Sequence, residues 1–147
     1  MSKNQNFCDF ESLASQAKER TRIRGISSNC LADTIVGLMN DKKITVEQLA
    51  ESSHVSDKTI QRIRNELNYK PGLQTMISLC IALELEPTLS KYLIGLSGYT
   101  LRNTDEGNAY DIVLHSYAVY GVYECNELLK ANGYKPIIHV RAGKKGK

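Results

Sequence analysis

Few of the usual chemical signposts appear in this chain of 147 residues. Cysteine is sparse and scattered: the four are Cys8, Cys30, Cys80 and Cys125, with no CxxC pair and no histidine at metal-ligand spacing. That pattern excludes a zinc framework or a disulfide scaffold. Cys80 and Cys125 sit within apolar helical patterns and read as buried, reduced thiols. No apolar run approaches the roughly 20 residues of a membrane span. The opening MSKNQNF lacks the apolar stretch of a secretory signal. The expected compartment is therefore the cytoplasm, without a membrane partner. A catalytic constellation is missing too: His54, His115 and His139 are dispersed, no glycine-rich phosphate loop follows a strand, and no carboxylate pair stands out. An enzyme, a metal site or a bound cofactor is not expected. Nor is charge one-sided. A net charge of only +3 excludes general polyanion binding by the whole molecule and leaves any nucleic-acid contact to local clustering.

Such clusters exist. Lys18 to Arg24 (KERTRIR) holds four cations and one anion, and Arg141 to Lys147 (RAGKKGK) four cations and none, whereas Asn103 to Lys130 contains five acids and one lysine. More informative is Thr45 to Glu66, TVEQLAESSHVSDKTIQRIRNE. Thr45 followed three residues later by Gln48 is a capping-box pattern that opens a helix over Thr45 to Ser52. Ser56 is a good N-cap for a second helix, in which Ile60, Ile63 and Leu67 recur at spacings of three and four. Leu49, Ala50, Val55, Ile60 and Ile63 then point inward together. Asp57, Lys58, Gln61, Arg62 and Asn65 are left projecting, a row of charged and amide groups able to read base edges.

A small residue at Ala50 where the helices cross, a turn residue four later, and branched apolar residues at Ile60 and Ile63 resemble the helix-turn-helix of the Cro and phage-repressor (XRE) regulators. The likeness runs from about Leu31 to Ser97. It implies an all-α, lambda-repressor-like five-helix DNA-binding domain whose third helix, Ser56 to about Glu66, enters the major groove of double-stranded DNA. This chain departs from the family at three positions. His54 stands where glycine is usual and is expected to take a positive φ, which His tolerates better than most residues. Val46 replaces a phosphate-gripping glutamine, and Arg64 a glutamate that pairs internally, which frees Arg64 to face phosphate.

On this reading Lys58 and Arg62 are the leading base contacts, since Lys and Arg present donors to guanine O6 and N7. Gln61 suits adenine, and Asp57 can accept from cytosine. Thr45, Ser56, Thr59, Arg64, Asn65 and Lys70 are candidate phosphate contacts, which set register without reading sequence. Each of these polar residues is also compatible with an ordinary solvated surface.

Around the motif the organisation is helical. The chain divides into an N-terminal extension (1–29), the DNA-binding domain (30–98), a C-terminal packing or dimerisation element (99–140) and a basic tail (141–147). Phe7, Phe10, Leu13 and Ala17 suggest a short amphipathic helix over 9–24, and Gly25 to Asn29 a break, with Ser28 or Asn29 able to cap the next helix. That helix, Cys30 to Asp41, carries the stripe Leu31, Ile35, Leu38 and Met39. Asn68 to Gly72 is a turn cluster, Leu73, Met76, Ile77, Cys80 and Leu83 stripe a fourth helix, and Pro87 suits the first turn of a fifth ending near Gly98.

Beyond Gly98, Asn103 and Glu106 repeat the capping-box spacing, and the helix they open is expected to run on to Asn132, with Gly133 as its stop. Gly121 offers an alternative interruption. Ala109 to Tyr123 (AYDIVLHSYAVYGVY) is apolar nearly all round and needs two buried faces. In one assignment Tyr110, Val113, Tyr117 and Tyr120 cover the DNA-binding domain, while Ile112, Val119 and Val122 meet a second subunit. A monomer core is the other possibility. The tail, with glycines at 143 and 146, either lies along phosphates or only aids solubility. The function expected is sequence-specific duplex binding by a transcriptional regulator, as a homodimer. The alternative is a protein-interaction adaptor that keeps the motif as a scaffold and acts through its Tyr-rich C-terminal helix.

Overall fold

The computed structural model describes residues 13–18 and 30–138, and every regular element among them is helical. Residues 13–18 are helical, as the amphipathic reading of 9–24 requires, although Leu13 is exposed. The remainder of that helix, the break at 25–29 with its Ser28 and Asn29 caps, and the basic tail lie outside the described residues.

Five short helices follow: α1 (Leu31–Lys42), α2 (Val46–Ser53), α3 (Asp57–Asn65), α4 (Leu73–Ala82) and α5 (Pro87–Leu96). Their boundaries follow from local chemistry. Cys30 takes the extended N-cap conformation of α1, and Lys43 ends that helix in the left-handed region (φ 58°). Pro87 stands in the first turn of α5, where its missing N–H costs nothing. The expected stripe of α1 is buried throughout. One expected stripe member fails: α3 stops at Asn65, so Leu67 falls beyond the helix and is 70% exposed.

The core centres on α4. Met76, Ile77, Ser78, Leu79, Cys80 and Ile81 are all buried, so this helix is covered on every side. Helices α2 and α5 cover part of it, and the C-terminal segment covers the rest. Burying side chains of this size stabilises by roughly 1.5–3 kcal/mol each.

The single long helix expected after Gly98 does not form; the alternative, an interruption at Gly121, does. The segment consists of α6 (Asp105–Ile112), a wide π turn (Val113–Tyr117), a 3-10 turn (Ala118–Tyr120) and α7 (Val122–Ala131). Gly121 separates the last two with φ 92° and ψ 169°, a backbone state that side-chain-bearing residues rarely adopt and that no α-helix can contain. The cap differs as well. Thr104, not Asn103, caps α6, its hydroxyl accepting from the Gly107 N–H at 3.0 Å. Gly107 is required there, since a Cβ would collide with the Arg102 carbonyl.

Breaking the helix changes which faces are buried. Tyr110, Val113, Leu114, Val122, Cys125 and Leu129 all enter the one core, so Val122 is not available to a partner. Tyr117 and Tyr120, assigned to cover the DNA-binding domain, are exposed instead, Tyr120 by 65%. Ile137 and Ile138 also enter the core, and polar ties hold this strap in place. Asn126 Oδ1 accepts from the backbone N–H groups of both isoleucines (2.8 and 3.0 Å), and Ser78 Oγ donates to the Ile137 carbonyl (2.9 Å). The Tyr110 hydroxyl accepts from Gln74 (3.2 Å) and donates to the Lys135 carbonyl (3.0 Å), while Glu106 accepts from the Lys135 N–H (3.1 Å). These bonds join α4, α6, α7 and the strap into one packed body.

Candidate nucleic-acid interface

The interface is built on α2, its turn and α3. Thr45 and Gln48 form the expected capping box, with reciprocal bonds of 3.0 and 3.1 Å. At the other end of α2, His54 takes the expected left-handed conformation (φ 61°), and its N–H reaches the Ala50 carbonyl at 3.0 Å. Buried Ser53 accepts from the Val55 N–H at 3.1 Å and fixes the exit from the turn. Ser56 then caps α3, accepting from the Thr59 N–H (3.1 Å) and donating to the Thr59 hydroxyl (2.9 Å). Ile60 and Ile63 are buried at 0% and 1% exposure and clamp α3 onto the core, with α1 and α2 as its main neighbours.

With its inner face committed, α3 presents Asp57, Lys58, Gln61, Arg62 and Asn65 to solvent, all five on the exposed side. Asp57 in the first turn and Arg62 and Arg64 in the last complement the helix dipole. Lys58, near the positive end, does not, and neither it nor Asp57 has an intramolecular polar partner among the described residues. Gln61 and Asn65 face each other at 3.5 Å.

The remaining candidates differ in their freedom. The Arg62 guanidinium pairs with Glu66 (Nη2 to Oε1, 3.3 Å) and lies 4.0 Å from the centre of the Tyr69 ring. Lys70 donates to the Leu96 carbonyl at the end of α5 (3.2 Å), satisfying a helix terminus. Arg64 is half-buried, and its Nε is sheltered from solvent without a hydrogen-bond partner. Thr45, Ser56 and Thr59 are engaged in caps, and each hydroxyl sits at a helix N-terminus. Sequence reasoning missed Glu66 and Tyr69. The spacing of Arg62 and Glu66 by four was a legible signal for an ion pair, whereas the approach of Tyr69 depends on the turn that follows the helix.

Chemically, this face offers hydrogen-bond donors, acceptors and cations. Burial pushes the Cys80 thiol up to about 12 and the Cys125 thiol up to about 11, so neither is a thiolate at neutral pH. No helix among the described residues is long and apolar enough to cross a membrane. Residues 35–88, from the middle of α1 to the start of α5, match the family model of the Cro/C1-type HTH DNA-binding domain. No curated protein and no solved structure gives a significant match.

Proposed function

We propose that this chain, whose residues 35–88 form a Cro/C1-type helix-turn-helix DNA-binding domain, is a cytoplasmic transcriptional regulator that reads a specific duplex sequence with α3 in the major groove. One observation carries this reading. A helix anchored by Ile60 and Ile63 leaves an unbroken row of Asp57, Lys58, Gln61, Arg62 and Asn65 facing outward. Lys58 and Arg62 supply donors for guanine, Gln61 a two-sided amide for adenine, and Asp57 an acceptor for cytosine. Thr45, Ser56, Thr59, Arg64, Asn65 and Lys70 hold the phosphates on either side. For Lys70 this requires exchange of its bond to the Leu96 carbonyl. The family match favours this reading over an interaction adaptor, and the matched family is defined by DNA binding rather than by catalysis.

The regulator acts as a homodimer. In support, Val119 (85% exposed), Tyr120, Tyr123 and Ile112 are exposed apolar residues outside the row on α3. Exposed apolar groups mark association surfaces where they form a contiguous patch. Selection of bound duplexes from a randomised pool tests both points. Wild type is expected to enrich a two-fold-related motif. Arg62→Ala is expected to lose discrimination at one base pair by about 1–3 kcal/mol while remaining folded. Failure to enrich any sequence would exclude specific recognition, and an unpaired half-site would exclude the dimer.

A further inference from the structure

We propose that Glu66 and Tyr69 are positioning residues that hold the Arg62 guanidinium in one orientation before DNA arrives, so that its free edge is set for a guanine. The inference rests on the reading of α3 as the recognition helix and goes beyond it by naming residues that need not touch a base.

The arrangement is built by the end of α3. Glu66 lies four residues after Arg62, one turn along the same face, and its N–H closes the helix onto the Arg62 carbonyl at 2.9 Å. The chain then turns sharply, the Tyr69 N–H donating to the Glu66 carbonyl at 3.1 Å, and this brings the Tyr69 ring against Arg62. Pro71 follows one residue after Lys70 and favours an extended backbone there, which keeps the turn from continuing as helix.

A guanidinium has five N–H groups in a rigid planar fork. Here Nε lies 3.3 and 3.4 Å from the two Glu66 oxygens, and Nη2 lies 3.3 Å from Oε1, so the inner edge faces the carboxylate. The outer edge, Nη1 with the second Nη2 hydrogen, has no acceptor among the described residues. That edge is the one whose parallel donors fit guanine O6 and N7. The Arg62 Cζ lies over the Tyr69 ring, 4.0 Å from its centre, a distance at which the ring attracts a cation and restricts rotation about the side chain. Glu66 thus sets the direction of the fork, and Tyr69 holds the cationic head against its ring. An exposed pair at this spacing adds little to fold stability, so its effect lies in orientation. Lys58 has no such support among the described residues.

Ordering a long side chain in advance removes part of the cost of binding, worth roughly two- to tenfold per side chain. The experiment compares wild type, Arg62→Ala, Glu66→Gln, Tyr69→Leu and Tyr69→Phe on an enriched duplex and on the same duplex with each base pair changed in turn. Arg62→Ala first identifies the base pair that Arg62 reads. Removing a negative charge raises affinity for every duplex alike, so the quantity read is the ratio between duplexes. Glu66→Gln and Tyr69→Leu are each expected to reduce preference at the Arg62 pair by roughly two- to tenfold. Preferences elsewhere should be unchanged, as should thermal unfolding of Glu66→Gln, and Tyr69→Phe should keep the wild-type ratio. An unaltered ratio in both variants overturns the proposal. So does a sharper preference, which would mean that Glu66 competes with DNA for the arginine. If Arg62→Ala changes no preference at all, the base-contact reading itself falls, and that outcome is distinct from the other two.

Discussion

The helix-turn-helix and the segment after Gly98 contribute to one core by opposite means. In the first, each helix carries its own start signal and one apolar face, and the bonds that define it span three or four residues, as between Thr45 and Gln48 or Ser56 and Thr59. In the second, the chain is apolar nearly all round, breaks at Gly121, and is held by bonds that span 36 residues (Gln74 to Tyr110) and 59 (Ser78 to Ile137). Local rules therefore suffice for the helix-turn-helix, and long-range ones are needed for the segment that packs behind it. A recognition surface depends on side-chain spacing along a helix. A buttress depends on volume, and many chain paths can fill the same volume.

The comparison can be broken with matched substitutions. Ile60→Ala empties a fully buried site in the motif and is expected to cost about 2–5 kcal/mol in urea denaturation. Asn126→Ala removes the acceptor for two buried N–H groups in the C-terminal segment, with about 1–3 kcal/mol expected for each. Both variants should unfold in a single transition. Two transitions for Asn126→Ala would separate the regions into independent units.

Thiol labelling sharpens the same point. Cys80 belongs to α4 and Cys125 to α7, and burial raises both thiols well above their ordinary range. At pH 8 each is protonated and shielded, so modification proceeds through opening of the structure. One core predicts similar protection at the two sites, whereas much faster labelling of Cys125 would show that the buttress opens first. The smallest effect is expected for Gly121→Ala. A side chain at φ 92° costs on the order of 1 kcal/mol, read as a lower melting temperature. An unchanged melting temperature would show that the break is not fixed by glycine.

This contrast also explains what was legible beforehand. The five helices, the box at Thr45, the cap at Ser56 and the positive φ of His54 all follow from residue type and spacing, and the structure has each of them. Leu67 kept the helical period but lay past the last residue of α3, where periodicity has no meaning. The C-terminal path is only partly legible: Asn103 to Asn132 contains no proline, and Gly121, the alternative interruption that the structure adopts, is also tolerated inside helices at modest cost. Ile137 and Ile138 are only two apolar residues, too few for any period, and their burial depends on Ser78 and Asn126 from distant turns. The restraint on Arg62 was half visible, as an acid four residues on; the ring of Tyr69 was not.

The fully covered α4 has a consequence for synthesis. Its Ser78 hydroxyl meets the Ile137 carbonyl 59 residues later, and at translation rates of about 5–20 residues per second that interval is roughly 3–12 seconds. During it the nascent chain has the entire DNA-reading motif but leaves the side of α4 that the strap will close uncovered. A newly made chain thus passes through a stage in which α4 has been synthesised but the segment that completes its cover has not.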